Sequence, residues 1–492
     1  MYKTLRLSLA ALVSAGMLLS GCSGQSGSSP SDGSSAKSGA DAAKAGGNVT
    51  ITLWNRIQTD LFDSTVAGFE KANPNIKVKI ENLPSAGGDV AQYQAAINGN
   101  ELPDLFVRPT GYTIAQLVKL NKLHSMDEVF PANVQSQFTD GTFAEGYGKI
   151  GGVVYSFPLY SALHGALMMY YNKSVLKELD IKEDKLPKTW DELIAFGKDV
   201  QMKSGGKKYA LTFGAATNYM STFLMNQLAP TISPETGFDY KKGVYTYNTP
   251  GMLESMEYLK KLYDQKILHP ATLDADTGKS YTLMKTGEAV FVIGGNWTGG
   301  SLPDSKSTPP FTHNDWGVIK VPTKTGGPSF QYFEGGSGES LYANKDTKHW
   351  PEVKLFLQYM NEHIYPEVVK AGGTLPSKKV EFLPGAKDPY DQYKTIAKIM
   401  SESKLLTPTV FMHNPAAADT VAQYASLGPR ENVGTIFLGY LTGQIKDLPK
   451  TLQKLSDDNN SALKKAIDQS GGKVKQADFV FADWVPGKPY KK

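Results

Sequence analysis

Residues 49–80 read VTITLWNRIQTDLFDSTVAGFEKANPNIKVKI, and the pattern of this stretch decides the fold. Val49-Thr50-Ile51-Thr52-Leu53-Trp54 alternates around β-branched residues, which predicts a strand. Leu61, Phe62, Val66 and Phe69 then recur at helical spacing across residues 60–72. Asn73-Pro74-Asn75 stops that helix, and residues 76–80 alternate again as a second strand. The theme continues outward. Residues 91–98 predict a helix, 103–107 a short buried strand and 114–120 another helix. Thr189-Trp190-Asp191-Glu192 forms a capping box that opens a helix toward Met202. Residues 253–263 are amphipathic, and Ala289-Val290-Phe291-Val292-Ile293 is a buried strand closed by Gly294-Gly295. Residues 351–361, 419–427 and 448–469 read as helices. Alternating strands and helices with short connections predict a parallel sheet covered by helices.

The chain has 492 residues, too many for one small core, so more than one domain is expected. A formal charge of +4 over that length, without a long Lys/Arg cluster, gives no case for nucleic acid. The single cysteine, Cys22, excludes an intrachain disulfide and a cysteine-ligated zinc site. Its position is informative. Lys3 and Arg6 precede an apolar run over residues 7–19, followed by Leu19-Ser20-Gly21-Cys22. That pattern resembles the bacterial lipobox, which implies a signal peptide over 1–21 and a diacylglycerol carrying palmitate-like chains on the Cys22 thiol. The apolar run is too short to span a bilayer comfortably. Residues 23–47 are mostly Gly, Ser, Ala, Asp and Lys and predict a flexible tether, with a reach of about 25–30 Å.

Several fragments carry a family resemblance. Residues 69–78, FEKANPNIKV, are similar to a helix-to-strand corner of the family-1, maltose-binding-like, extracellular solute-binding proteins. Pro103-Asp104-Leu105 resembles the second such corner, and Tyr171-Asn172-Lys173 followed by Pro187-Lys188-Thr189-Trp190 resembles a later stretch. Residues 284–290, ending in Gly294-Gly295-Asn296-Trp297, resemble another. The fragments stand in family order across residues 69–297, and the resemblance fades after about residue 400. It implies a two-lobed α/β, periplasmic-binding-protein-like (type II) fold with a multi-strand hinge. Lobe 1 would comprise residues 48–159 plus about 338–396, and lobe 2 residues 160–333 plus about 403–492. Crossings are expected near residues 159–162, 333–337 and 396–403, and Gly335-Gly336-Ser337-Gly338 suits one of them. The implied role is a monomeric, lipid-anchored receptor on the outer face of a bacterial membrane. It would pass a carbohydrate to the transmembrane subunits of an ABC permease, without cofactor or metal. A peptide or other small solute, an adhesion role, or a cell-surface carbohydrate-active enzyme remain alternatives.

No enzymatic motif is complete. Thr277-Gly278-Lys279-Ser280 ends like a phosphate-binding loop, but Leu273 stands where its first glycine belongs. Gly335 to Glu339 resembles a nucleophile elbow except that Glu339 replaces the last glycine. The seven histidines are scattered, and no calcium loop is found. A pair of hydrolytic carboxylates would leave no motif, because the two need only be close in space.

Aromatic rings pack on the C–H face of a sugar while polar groups meet its hydroxyls. In open α/β lobes ligands sit beyond the carboxyl ends of strands. That rule selects Trp54, Asn55 and Arg56 after the first strand, and Arg108 and Tyr112 after the 103–107 strand. It also selects Tyr160 at the first crossing, Asn218 and Tyr219 after residues 209–213, and Glu334 at the second crossing. Trp297 matches the position where the resembled family stacks an aromatic on sugar. Trp190 and Trp350 stand at helix starts and read as packing residues. Only four arginines occur against 48 lysines, and Arg56 and Arg108 both follow strands. A guanidinium binds carboxylate bidentately, which points to an acidic sugar such as an oligouronide. Pairing of each arginine with a local Asp or Glu is the alternative.

Overall fold

The computed structural model describes residues 48–490 apart from 58–59, 85–87 and 384, and leaves out the side chain of Asn218. The lipidation expected at Cys22 and the tether at 23–47 fall outside the described residues. In chain order the strands are β1 (Val49–Asn55), β2 (Ile76–Asn82), β3 (Leu105–Val107), β4 (Lys149–Ile150), β5 (Val153–Val154) and β6 (Phe157–Pro158). They continue with β7 (Leu167–Asn172), β8 (Tyr209–Phe213), β9 (Gly237–Asp239), β10 (Val244–Thr246) and β11 (Ala289–Gly295). The last are β12 (Trp316–Lys320), β13 (Gln331–Phe333), β14 (Ser340–Ala343) and β15 (Lys404–Leu406).

Two sheets organise the lobes. The first has the order β2-β1-β3-β14-β6, and the second β12-β7-β11-β8. β1 runs parallel to β2 and β3, as the alternating pattern requires, whereas β14 is antiparallel to both β3 and β6. In the second sheet only the β8–β11 pair is parallel, and β7 is antiparallel to both its neighbours. The expectation of wholly parallel sheets is therefore corrected. Strands that arrive directly from the other lobe have no crossover helix to turn them parallel.

Local chemistry explains the elements. β1 buries Ile51 and Leu53 completely, and the helix Asp63–Ala72 brings Phe69 against Phe356 at 4.9 Å between ring centroids. Each such side chain contributes about 1.5–3 kcal/mol on burial. Thr189 caps the helix Trp190–Lys203: its hydroxyl accepts from Glu192 N at 3.2 Å, and Glu192 accepts from Thr189 N at 3.0 Å. The helix Trp350–Ala371 runs ten residues past the expected 351–361, with Pro366 accommodated inside it.

Three segments join the lobes. The 159–166 segment links β6 to β7, and 334–339 links β13 to β14. They lie against one another: Leu159 N donates to Glu339 O at 2.9 Å and Gly338 N to Tyr160 O at 3.0 Å. Gly335 and Gly336 take φ of +115° and +91°, and a Cβ on Gly335 would lie 2.7 Å from Ala144 Cβ, so glycine is required there. The third passage is not at 396–403. Lys379 N still donates to Gln137 O in the first lobe, whereas Gln392 Nε2 donates to His313 O and Trp316 O in the second. The helix Tyr393–Glu402 then packs on β12, so the passage falls between residues 379 and 392. β15 pairs in parallel with β13 beside the hinge.

The C-terminal third also departs from a purely second-lobe assignment. The helix Val433–Leu441 packs on the second-lobe helices Asn218–Leu228 and Pro250–Asp264. The helix Ala418–Leu427, in contrast, reaches the first-lobe helix Ile114–Lys119, with Lys119 and Asp419 3.4 Å apart. Among the described residues no helix is long and apolar enough to cross a membrane.

Candidate functional site

The residues selected from sequence divide into three groups. The first lies at the carboxyl ends of β1 and β3 and the start of β14. Asn55 is completely buried, donates to Asn82 Oδ1 at 2.8 Å and accepts from Ile57 N at 2.9 Å. It shapes the turn that presents Arg56. Arg56 Nη2 donates to Arg108 O at 3.0 Å, Nε stands 3.6 Å from the buried Asp89, and Nη2 stands 3.9 Å from Glu339. Burial raises the Glu339 carboxyl, and Arg56 and Arg108 pull it back down. The Arg56 guanidinium thus has counter-charges within the protein. Arg108 is exposed and near enough to act on Glu339. Trp54 packs edge-on against Tyr93 at 5.3 Å and donates Nε1–H to Glu81 at 3.1 Å. Tyr112 packs against the same small aromatic cluster. Packing accounts for Trp54 and Tyr112 without a ligand.

The second group is an aromatic wall. Tyr160 and His164 are 5.6 Å apart between ring centroids, His164 and Trp297 5.1 Å, Trp297 and Tyr219 6.1 Å, and Tyr219 and Phe223 5.7 Å. Tyr160, His164 and Trp297 line a cavity of about 420 Å³ with Ile57, Ser301 and Thr374. Ile57 follows β1 and Trp297 follows β11, so both lobes contribute. Sequence chemistry sets this geometry. A Cβ on Gly295 would fall 2.3 Å from the Trp297 ring, so only glycine lets the indole fold back over the strand end. Asn296, fully buried, accepts from Gly165 N at 2.8 Å and donates to Gly373 O at 2.9 Å and His164 Nδ1 at 3.2 Å. His164 therefore presents Nδ1 as an acceptor, and burial holds its ring neutral, with a pKa pushed down to about 4. Burial also raises the Tyr160 phenol, which stays protonated as a donor. Asn218 opens the helix Asn218–Leu228, and its side chain lies outside the described residues.

The third group is Glu334 alone. It lines a separate cavity of about 220 Å³ with Tyr147, Tyr240, Phe411, Tyr424 and Phe481. Tyr240 OH donates to Glu334 at 2.9 Å, Thr407 donates to Tyr240 at 3.0 Å, and burial pushes the Glu334 carboxyl up to about 7. The structure does not bring Glu334 to the aromatic wall. A larger cavity, about 590 Å³, runs along the outer edge of β12 beside Leu186, Lys188 and Lys398 and contains none of the selected residues.

Sequence reasoning missed Asp89, His164, Lys404 and Glu339 as members of these sites. Glu339 was visible only as the residue that breaks the elbow pattern, and His164 as one scattered histidine. Among the described residues no group of three His, Cys, Asp or Glu side chains could hold a metal ion.

Two α/β lobes on a three-segment hinge, with an aromatic cavity between them, define the class of two-lobed binding proteins. Residues 48–363 match the model of the bacterial extracellular solute-binding proteins, and the chain belongs to that family. It is 25% identical over 322 residues to the multiple sugar-binding protein of Streptococcus mutans, covering 63% of this chain and 71% of that one. It is 24% identical over 271 residues to an uncharacterized ABC transporter extracellular-binding protein of Pyrococcus horikoshii, covering 54% of this chain and 58% of the relative's length. The maltose/maltodextrin-binding domain of Bdellovibrio bacteriovorus, solved with maltotriose, shares the fold with a TM-score of 0.61 at 20% identity, over 85% of this chain and all of that one.

Proposed function

We propose that this protein is a non-catalytic receptor for an ABC importer, which captures an oligosaccharide between its lobes and presents it to the transmembrane permease subunits. The observation that carries this reading is the wall of Tyr160, His164 and Trp297 along an inter-lobe cavity of about 420 Å³, extended beyond it by Tyr219 against Trp297. A pyranose ring placed against Trp297 buries its C–H face on the indole. The Tyr160 hydroxyl, Ser301 and Thr374 supply donors and acceptors for its hydroxyls. Closure about the hinge would exchange open cleft surface for these contacts, and the permease would read the closed form. The sugar-binding relatives agree with this cargo.

The same geometry weighs against hydrolysis. Glycosidases need two carboxylates free to act as acid and as base or nucleophile. Asp89 and Glu339 flank one guanidinium instead. Cys22 as a diacylglyceryl anchor would hold the receptor at the outer face of the membrane. Cys22→Ala should then leave the body folded and release it from the membrane fraction, and a substituted protein still anchored after signal removal would refute the anchor.

The function is tested by titration calorimetry against a panel of mono- and oligosaccharides, with chromatography for products. Binding without turnover is expected. Affinity for di- and tripeptides with none for any sugar would overturn the cargo, and release of shorter sugars would overturn the receptor.

A further inference from the structure

Lys404 opens β15 at the hinge and is half-buried. Its ammonium donates to Gln331 Oε1 at 2.9 Å. The orientation of that amide is fixed, because Gln331 Nε2 donates to Phe223 O at 3.0 Å and Gln227 Oε1 at 3.1 Å. Gln227 is held in turn by Ser329 Oγ at 2.9 Å and by both backbone groups of Leu167. A chain of neutral amides therefore positions one cation. An ammonium has three donors, and one of them is engaged here. Among the described residues no carboxylate lies within ion-pair distance of Lys404.

The ammonium stands beside the aromatic wall. It is 3.6 Å from the point where a Cβ on Gly165 would sit, and the Phe223 ring edge is 3.3 Å from the same point. Gly165 follows the cavity residue His164, and Phe223 continues through Tyr219 to Trp297. The φ of +90° at Gly165 demands glycine, so no Cβ stands at that point between the Phe223 ring and the ammonium. Burial lowers the Lys404 pKa to about 8, in keeping with a cation that has no internal counter-charge. Arg56 differs: it stands within ion-pair distance of both Asp89 and Glu339, and Arg108 acts on Glu339 from the surface.

The geometry points to a carbohydrate with a single carboxylate as the cargo, and to Lys404 as the counter-ion that selects it. This rests on the carbohydrate reading above and names the substrate class within it. One unmatched positive charge balances one uronate carboxylate. A phosphate monoester, at about −1.5 to −2, would need a second cation.

The test is calorimetry at pH 7 with an aldobiouronate and an aldotriouronate, oligosaccharides that carry one uronate carboxylate each, the carboxyl-reduced neutral form of each, and glycerol 3-phosphate as the phosphate probe. Wild type should bind at least one acid about tenfold or more tighter than its neutral form. Lys404→Gln should weaken that acid by about thirtyfold or more while changing the neutral form less than about threefold, and Lys404→Arg should retain the preference. Far-ultraviolet circular dichroism and melting of each variant establish that the fold is kept. Equal or tighter binding of the neutral forms overturns the inference and leaves the carbohydrate reading intact. An acid preference that survives Lys404→Gln overturns the role of Lys404, and a Lys404-dependent preference for glycerol 3-phosphate overturns the carboxylate. Binding of no sugar, acidic or neutral, removes the carbohydrate reading and this inference together.

Discussion

The two sides of the cleft handle charge and polarity in opposite ways. At the strand ends of the first lobe, Arg56 stands between a buried Asp89 and Glu339, and its guanidinium also meets Arg108 O. On the second-lobe side, Trp297 stands between neutral His164 and Tyr219, and the Lys404 ammonium has only an amide oxygen as partner. The first arrangement sets its charges against one another within the protein. The second sets rings against one another and holds a cation with no carboxylate within ion-pair distance. A charge matched internally holds a wall in shape, while an unmatched one is free to recognise.

Three substitutions separate these roles. Asp89→Ala should have the largest effect. It removes the nearer of the two Arg56 counter-charges, leaves Glu339 as the remaining one, and should lower unfolding free energy by about 3 kcal/mol, read by urea denaturation. A loss well under 1 kcal/mol would mean that the first wall is not held by this pairing. Trp297→Ala comes next, with the opposite signature. Affinity for the sugar should fall by about 2–3 kcal/mol with little change in denaturation midpoint. An unchanged dissociation constant would remove Trp297 from the site. Glu334→Gln is the smallest and sharpens the comparison from outside both walls. The wild-type carboxyl is raised to about 7 by burial, so the folded state favours the protonated form. The stability this supplies is fully present below the unfolded pKa of about 4.5 and is lost as pH rises through 7. The variant keeps the acceptor for Tyr240 and should be more stable than wild type by roughly 1–2 kcal/mol at pH 8, with little difference at pH 4. A gap independent of pH would show that Glu334 does not titrate there.

Much of the fold was legible because its signals are local. The β1 alternation, the Asn73-Pro74-Asn75 stop, the Thr189 capping box and Gly294-Gly295-Asn296-Trp297 each act within a few residues. The hinge was harder. Helix Tyr393–Glu402 is amphipathic whichever sheet it covers, so its pattern could not say that the chain had already crossed. The arginines show the same limit at the site. Their scarcity was visible, but Glu339 lies 283 residues beyond Arg56, and Asp89 belongs to a different element. Pairing between them is a property of the fold alone. Lys404 was one lysine among 48, and only its position beside Gly165 and Gln331 distinguishes it. Trp297 was selected through the resemblance carried by Gly294-Gly295-Asn296-Trp297, a signal contained within four residues.

The central claim is a cleft that closes on a sugar, and small-angle scattering with and without a saturating oligosaccharide tests it most directly. The account predicts a smaller radius of gyration with ligand, together with a shift in tryptophan emission that disappears in Trp297→Phe while the contraction remains. A sugar bound at micromolar affinity or better that leaves the radius of gyration unchanged would contradict it.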